Sequence, residues 1–283
     1  MMAQRIPSIM PPMSLEEIIE TTQIHSIVGK LSTDHPLVTE RPFRALHHSI
    51  TSTALIGGRT NPQPGEISLA HQGVLFLDEL PEFQRNVLEL LRQPLEERKV
   101  PISRAHGTVE FPANFLLISA MNPCPCGYFH HPEKPCTCKP YQVDRYLHRI
   151  SGPLLDRIDM HLEVFPLGYS DMFKSQESES SQVIRERICI ARDIQKARFK
   201  EISIRTNAEM NSVQVKEICV LDTTSASLLR NAIEKLQLSA RAHDRILKMA
   251  RTIADISQTK EIEPKHLAEA INYRNLDREN WSG

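Results

Sequence analysis

The run GVLFLDEL, Gly73–Leu80, constrains this chain more than any other stretch of it. Val74, Leu75, Phe76 and Leu77 form a short continuous apolar run, the pattern of a strand buried on both faces, and it stops abruptly at Asp78 and Glu79. Two adjacent carboxylates at the end of a buried strand need a charge to offset them. A strand buried on both faces belongs to a parallel sheet, so the sequence points to an α/β fold.

The surrounding patterns agree. Pro81 suits a helix first turn, and Phe83, Val87 and Leu91 recur every four residues before Pro94, giving a strand-to-helix unit. A second buried strand is expected over Asn114–Met121, running straight into Asn122. A third is expected over Met160–Phe165, after the segment SGPLLDRID. Val100–Phe111 alternates about an Ala105–Gly107 turn and reads as a β-hairpin. Upstream, Met1–Pro12 reads as the end of a helix broken by prolines. Ser14 and Glu17 form a capping box for a helix to about Val28, with Leu15, Ile18, Ile19 and Ile24 or their neighbours as its buried side. Phe43–His47 is a candidate short strand. Ser175–Gln182 lacks large apolar residues, and beyond it the spacing predicts helices over 183–199, 207–218, 223–236, 240–256 and 264–273. The expected organisation is an α/β domain over residues 1–170 with a cysteine-rich insert at 122–140, a linker at 171–182, and an all-helical domain over 183–283.

Lys and Arg total 34 against 35 Asp and Glu, so any nucleic-acid or membrane surface has to be local. No apolar run approaches the ~18 residues that span a bilayer, and the first residues hold no signal-peptide core, so the expected location is cytoplasmic. Four of the six cysteines crowd into Cys124–Cys138, which without a secretion signal argues for metal rather than disulfides. Cys189 and Cys219 read as buried thiols.

Asp78 and Glu79 have the form of the acid pair of a nucleotide hydrolase, the first holding magnesium and the second activating the attacking water; the alternative is a strand ending in solvent with two ordinary surface acids. The full sequence nonetheless contains no G-x-x-x-x-G-K-S/T loop; Gly29–Lys30 is followed by Leu31 and lacks a glycine five positions earlier. Asn122, ending the neighbouring strand, could bind the water or a γ-phosphate oxygen; the alternative is a turn residue before proline. Arg157, between Asp156 and Asp159, reads either as a salt-bridge partner of those acids or as an arginine finger reaching a nucleotide on a neighbouring subunit. Arg241 stands in the first turn of a helix capped by Ser239, where a cation opposes the helix dipole and a phosphate would offset it. Cys124, Cys126, Cys136 and Cys138, spaced C-x-C-x9-C-x-C, suit a structural tetrahedral zinc ion, with His130 and His131 as substitute ligands and a reduced thiol loop as the alternative. Arg98, Lys99, Arg104 and His106 on the hairpin are either a solvated turn or a contact for single-stranded nucleic acid.

RPFRALHHSI, GEISLAHQGVLFLDELPEF, SAMNPCPCGY, SGPLLDRIDMHLEV and LSARAHDRILKMARTIADI occur here in that order. Together they resemble the ComM/YifB family of magnesium-chelatase-like AAA+ ATPases, implicated in DNA branch migration during natural transformation. The resemblance covers nearly the whole chain. It implies ATP with Mg2+ as cofactor, a homo-hexameric ring with nucleotide sites between subunits, and DNA as partner. Asp78 and Glu79 then match the Walker B acids, with Asp78 on magnesium. Asn122 matches sensor 1, Arg157 the arginine finger and Arg241 sensor 2. The four cysteines match a cysteine-rich insert, and the hairpin around Arg104 and His106 the pre-sensor hairpin.

The departure is at the front, where the family carries a Walker A loop before the segment resembling MMAQRIPSIMPP. The resemblance therefore implies an incomplete AAA+ domain whose parallel sheet lacks its central first strand, followed by a helical lid. It also implies weak ATP binding by this chain alone. A non-enzymatic, ring-associating remnant is the competing expectation. A sigma-54-type activator shares the context of LAHQGVLFLDEL but needs a GAFTGA loop and a C-terminal helix-turn-helix not found here, and a porphyrin magnesium chelatase motor needs partner subunits.

Overall fold

The computed structural model describes residues 2–58, 61–104, 107–131, 133–164, 179–236 and 238–274. The chain divides into two compact units, one containing Pro12–Arg157 and the other Ile158–Trp281. The first is a mixed α/β unit. Its helix α1, Leu15–Ile27, starts at the expected capping box, with the Ser14 hydroxyl accepting from Glu17 N–H and the Glu17 carboxylate from Ser14 N–H. Its buried side is narrower than the spacing predicts: Thr21 and Ile24 are buried, whereas Leu15 and Ile19 are exposed. A capping box fixes where a helix begins but not which face finds a partner.

Strands β1 (Phe43–Leu46) and β2 (Val74–Leu77) pair in parallel, the register running from Phe43 opposite Val74 to Leu46 opposite Leu77. Gly73 lets this pairing begin. A Cβ there would lie 2.0 Å from the Pro42 carbonyl oxygen, which instead accepts a 2.7 Å bond from Val74 N–H. After β2 the Leu80–Glu82 turn leads into α2 (Arg85–Glu89) and α3 (Arg92–Glu97). The sequence predicts one continuous helix ending at Pro94. Pro94 instead lies in the first turn of α3, where its missing N–H is tolerated, and the break falls at Leu90–Leu91.

The expected hairpin is present as β3 (Lys99–Arg104) and β4 (Gly107–Pro112), antiparallel with Val100 opposite Phe111. Val100, Ile102 and Phe111 are buried, while Val109 is exposed. His106 at the tip, and the Arg104 side chain, lie outside the described residues. Strand β5 (Leu116–Ser119) pairs in parallel with β2, so the sheet order is β1-β2-β5. β2 is the middle strand, which accounts for the burial of Val74, Leu75 and Leu77. Two short helices follow, α4 (Pro140–Leu147) and α5 (Gly152–Leu155).

In the second unit Met160–Val164 forms no strand, contrary to the sequence reading, and Phe165 lies outside the described residues, as does most of the expected linker. No ladder partner runs beside this segment among the described residues. His161 N–H donates to the Tyr273 carbonyl at 2.6 Å instead, and Leu162 and Val164 are exposed. Five helices follow among the described residues: α6 (Ser181–Arg198), α7 (Ser212–Ile218), α8 (Thr223–Leu236), α9 (Ala240–Ile256) and α10 (Pro264–Asn272), close to the predicted bounds except that α7 starts at its Asn211 cap rather than at 207, where Asn207–Glu209 forms a separate 3-10 turn. The stripe Ala242, Ile246, Ala250 and Ile253 of α9 is the centre of their core. Beneath it Asp255, fully buried, receives the Arg198 guanidinium on both oxygens, a bond from Asn207 Nδ2 at 2.7 Å and one from Arg251 Nε at 3.1 Å, so its charge is offset inside the unit. Cys219 is buried and its thiol is pushed up to about 11 by desolvation, while Cys189 is only half-buried. No helix among the described residues is long and apolar enough to cross a membrane.

His266 is buried, and its Nδ1 accepts the Glu263 N–H that opens α10. Desolvation holds this imidazole below its ordinary 6.5. The unfolded chain therefore takes up the proton first, and the contribution to stability, complete above about 6.5, declines as the pH falls below that value. Thermal melts should show Tm of the helical unit falling on acidification through that window. His266→Gln keeps an acceptor for the cap and should flatten the decline.

Candidate functional site

The acid pair stands where β2 ends, at the carboxyl edge of the parallel sheet, where open α/β sheets bind ligands. Glu79 takes a left-handed conformation, φ 53° and ψ 49°, an uncommon and costly state for a residue with a Cβ. Its neighbours hold it there. Leu80 and Pro81 are buried, Glu79 N–H donates to Asp78 Oδ1 at 3.0 Å, and Glu82 N–H donates to the Glu79 carbonyl at 2.8 Å. Both acidic side chains are turned to solvent while their backbone is anchored.

The adjacent strand is stitched to the same point. Ala120 N–H donates to Leu77 O at 2.9 Å and Leu80 N–H donates to Ala120 O at 3.0 Å, which carries the β2–β5 ladder past the last sheet residues. Asn122, exposed and two residues further on, is thereby brought to the edge that bears Asp78 and Glu79. On the other side of β2, His48 Nδ1 lies 3.6 Å from Glu79 Oε2. Sequence reasoning assigned His48 no role; the signal was the His47–His48 pair directly after β1, meaningful only once β1 and β2 are known to be parallel neighbours in register.

Arg157 is buried, with Nη2 2.7 Å from Glu96 Oε1 of α3 and Nη1 donating to the Pro153 carbonyl at 2.5 Å. The sequence offers Asp156 or Asp159 as salt-bridge partners. The geometry supplies Glu96, three residues before the hairpin, and no sequence spacing could have shown it. Asp159 instead pairs with Arg245 in the second unit. Arg241 is exposed in the first turn of α9, whose N-cap is the expected Ser239, its hydroxyl accepting from Ala242 N–H at 3.2 Å. Lys99 on the hairpin is paired across the strands with Glu110 at 3.0 Å.

The four cluster cysteines come together. Their sulfurs all lie within 4.8 Å of one another, with Cys124–Cys126 at 3.3 Å, Cys126–Cys136 at 3.5 Å and Cys124–Cys136 at 3.7 Å. His130 and His131 are outside the cluster; His131 Nδ1 accepts from Glu133 and Lys134 N–H and so caps a turn. The backbone N–H groups of Tyr128 and Thr137, with the neighbouring thiols, favour the Cys126 thiolate and bring its pKa down to about 5. Although the Cys138 N–H favours its thiolate, desolvation and the sulfurs of Cys126 and Cys124 push Cys136 up to about 12. The phenol of Tyr146, on α4, is raised by burial first and then by the negative charges of Glu82, Glu79 and Cys124.

Residues 1–172 match the model of the family described as magnesium chelatase, subunit ChlI, and residues 178–274 match that of its C-terminal part. The chain belongs to the magnesium chelatase family. It is 46% identical to competence protein ComM of Haemophilus influenzae over 98% of this chain and 53% of ComM. Against protein YifB it is 44% identical for Salmonella typhimurium and 43% for Escherichia coli, in each case over 98% of this chain and 54% of YifB. The chain spans about half the length of these relatives.

Glu96→Gln should weaken the first unit by about 1–2 kcal/mol in urea denaturation, since it removes the charge facing a buried guanidinium although Glu96 itself is partly solvated. A loss no larger than that of a surface substitution such as Glu97→Gln would show that Arg157 draws nothing from this pair.

Proposed function

We propose that this chain carries the hydrolytic acids and the helical lid of an AAA+ ATPase that couples ATP hydrolysis to DNA remodelling in natural transformation, in the cytoplasm and as a hexameric ring. The observation that carries the reading is the anchored pair Asp78–Glu79 at the carboxyl end of the central parallel strand, with Asn122 at the end of the next. In this reading Asp78 holds magnesium, Glu79 activates the attacking water and Asn122 orients it or a γ-phosphate oxygen. Membership of the magnesium chelatase family supports the ATPase assignment, and ComM's name as a competence protein supports the DNA assignment. Arg241 would sense phosphate from the lid. Arg157 would act as a finger only after exchanging Glu96 for a neighbouring subunit's nucleotide.

The 283 residues contain no G-x-x-x-x-G-K-S/T loop, so in this reading the backbone cradle and lysine for the β- and γ-phosphates come from another segment. That segment would also add a parallel strand beside β5. Leu116 on β5 is 44% exposed, and β5 pairs on one side only among the described residues. An apolar strand left at a sheet edge is a site for strand addition.

Calorimetry should detect no micromolar ATP binding by the chain alone, and binding with hydrolysis after addition of a polypeptide carrying the phosphate-loop half of a ComM relative. In that mixture Glu79→Gln should retain ATP binding and lower kcat by at least about 100-fold. Micromolar ATP binding by the chain alone, or full turnover by Glu79→Gln, would overturn the reading.

A further inference from the structure

The cysteine cluster takes no part in the phosphate chemistry proposed above. Among the described residues from Ala120 to Lys139 there is no helix or strand, and only Cys124 is buried. A segment of this length with no apolar core of its own needs another source of order. We propose that Cys124, Cys126, Cys136 and Cys138 bind one zinc ion as four thiolates, in a closed structural site that ties the end of β5 to the start of α4.

Four sulfurs held about 2.3 Å from a tetrahedral ion lie about 3.8 Å from each other. The observed 3.3, 3.5 and 3.7 Å fall close to that spacing, and all six cysteines are free thiols. The local backbone is shaped for it. Gly127 follows Cys126 at φ 81°, a left-handed value, and its N–H donates to the Cys124 carbonyl at 3.0 Å, closing a tight knuckle around Pro125. Nothing lies within 4 Å of the position a Cβ would take at Gly127, so its glycine serves the turn's conformation rather than a close contact.

The donor set selects the ion. Four thiolates favour a soft or borderline cation over magnesium or calcium, and with every position filled by protein the ion has no place for substrate. Binding one Zn2+ displaces the remaining thiol protons to solvent, and the site then carries a net double negative charge. The two ends of the clip give it a structural consequence. Cys124 lies two residues after Asn122, and Cys138 two residues before Pro140, the first residue of α4. The ion would thus hold the loop that presents Asn122 against the helix that bears Tyr146.

The test uses the full chain, purified under reducing conditions, and needs no nucleotide. Elemental analysis should find one zinc per chain, and replacement by Co2+ should give the intense visible absorption and thiolate charge-transfer bands of a tetrahedral four-sulfur site. Pulsed alkylation with peptide mass mapping should find the four cluster cysteines protected with zinc bound and modified after chelation. Cys136→Ser should weaken Co2+ binding by at least about 100-fold, whereas Cys189→Ser should leave it unchanged. If Cys136→Ser fails to fold, the alkylation result on the unaltered chain still decides. Equal alkylation rates with and without zinc, a cobalt spectrum lacking thiolate bands, or iron in place of zinc would overturn the assignment.

Discussion

The pairing of β2 between β1 and β5 is the constraint on which the rest of this molecule depends. An apolar strand with neighbours on both sides has its backbone groups satisfied and its two faces covered, so its end is among the most fixed points of the unit. Chemistry that needs two carboxylates in a set place is well served there. The cost falls on Glu79, held left-handed so that both acids face outward while Leu80 and Pro81 turn back into the core. The bonds between Leu77, Leu80 and Ala120 extend the rigid pairing just far enough to carry Asn122 to the same edge.

Much of this was legible in the sequence because its signals are local. A four-residue apolar run ending in acids, a Ser-x-x-Glu cap and apolar residues every three or four positions each report a conformation set by nearby atoms. That is why β2, the hairpin, the start of α1 and the five helices after residue 180 lie close to where they were expected. What failed was long-range. Leu15 and Ile19 carry a helical apolar spacing, yet among the described residues they remain exposed. The Met160 segment has a strand's composition, but a strand exists only where a ladder partner exists, and there the backbone turns to Tyr273 instead.

The candidate site divides in the same way. Asp78, Glu79, Asn122 and the four cysteines were readable because strand ends and ligand spacing are sequence patterns. The pairing of Arg157 with Glu96 and the approach of His48 to Glu79 join residues 61 and 31 positions apart, and only the topology reveals them. In the proposed reading Arg157 would have a second aspect, since a guanidinium buried against α3 would have to leave Glu96 before reaching a nucleotide.

The central claim is that the ends of β2 and β5 act together on one phosphate, and a double-mutant cycle tests it most directly. In the ATP-hydrolysing assembly formed with the phosphate-loop half of a relative, kcat would be measured for Glu79→Gln, Asn122→Ala and the two combined. If both side chains act on the same water and phosphate, the double variant will be scarcely slower than the slower single one. Losses that multiply independently would contradict the account.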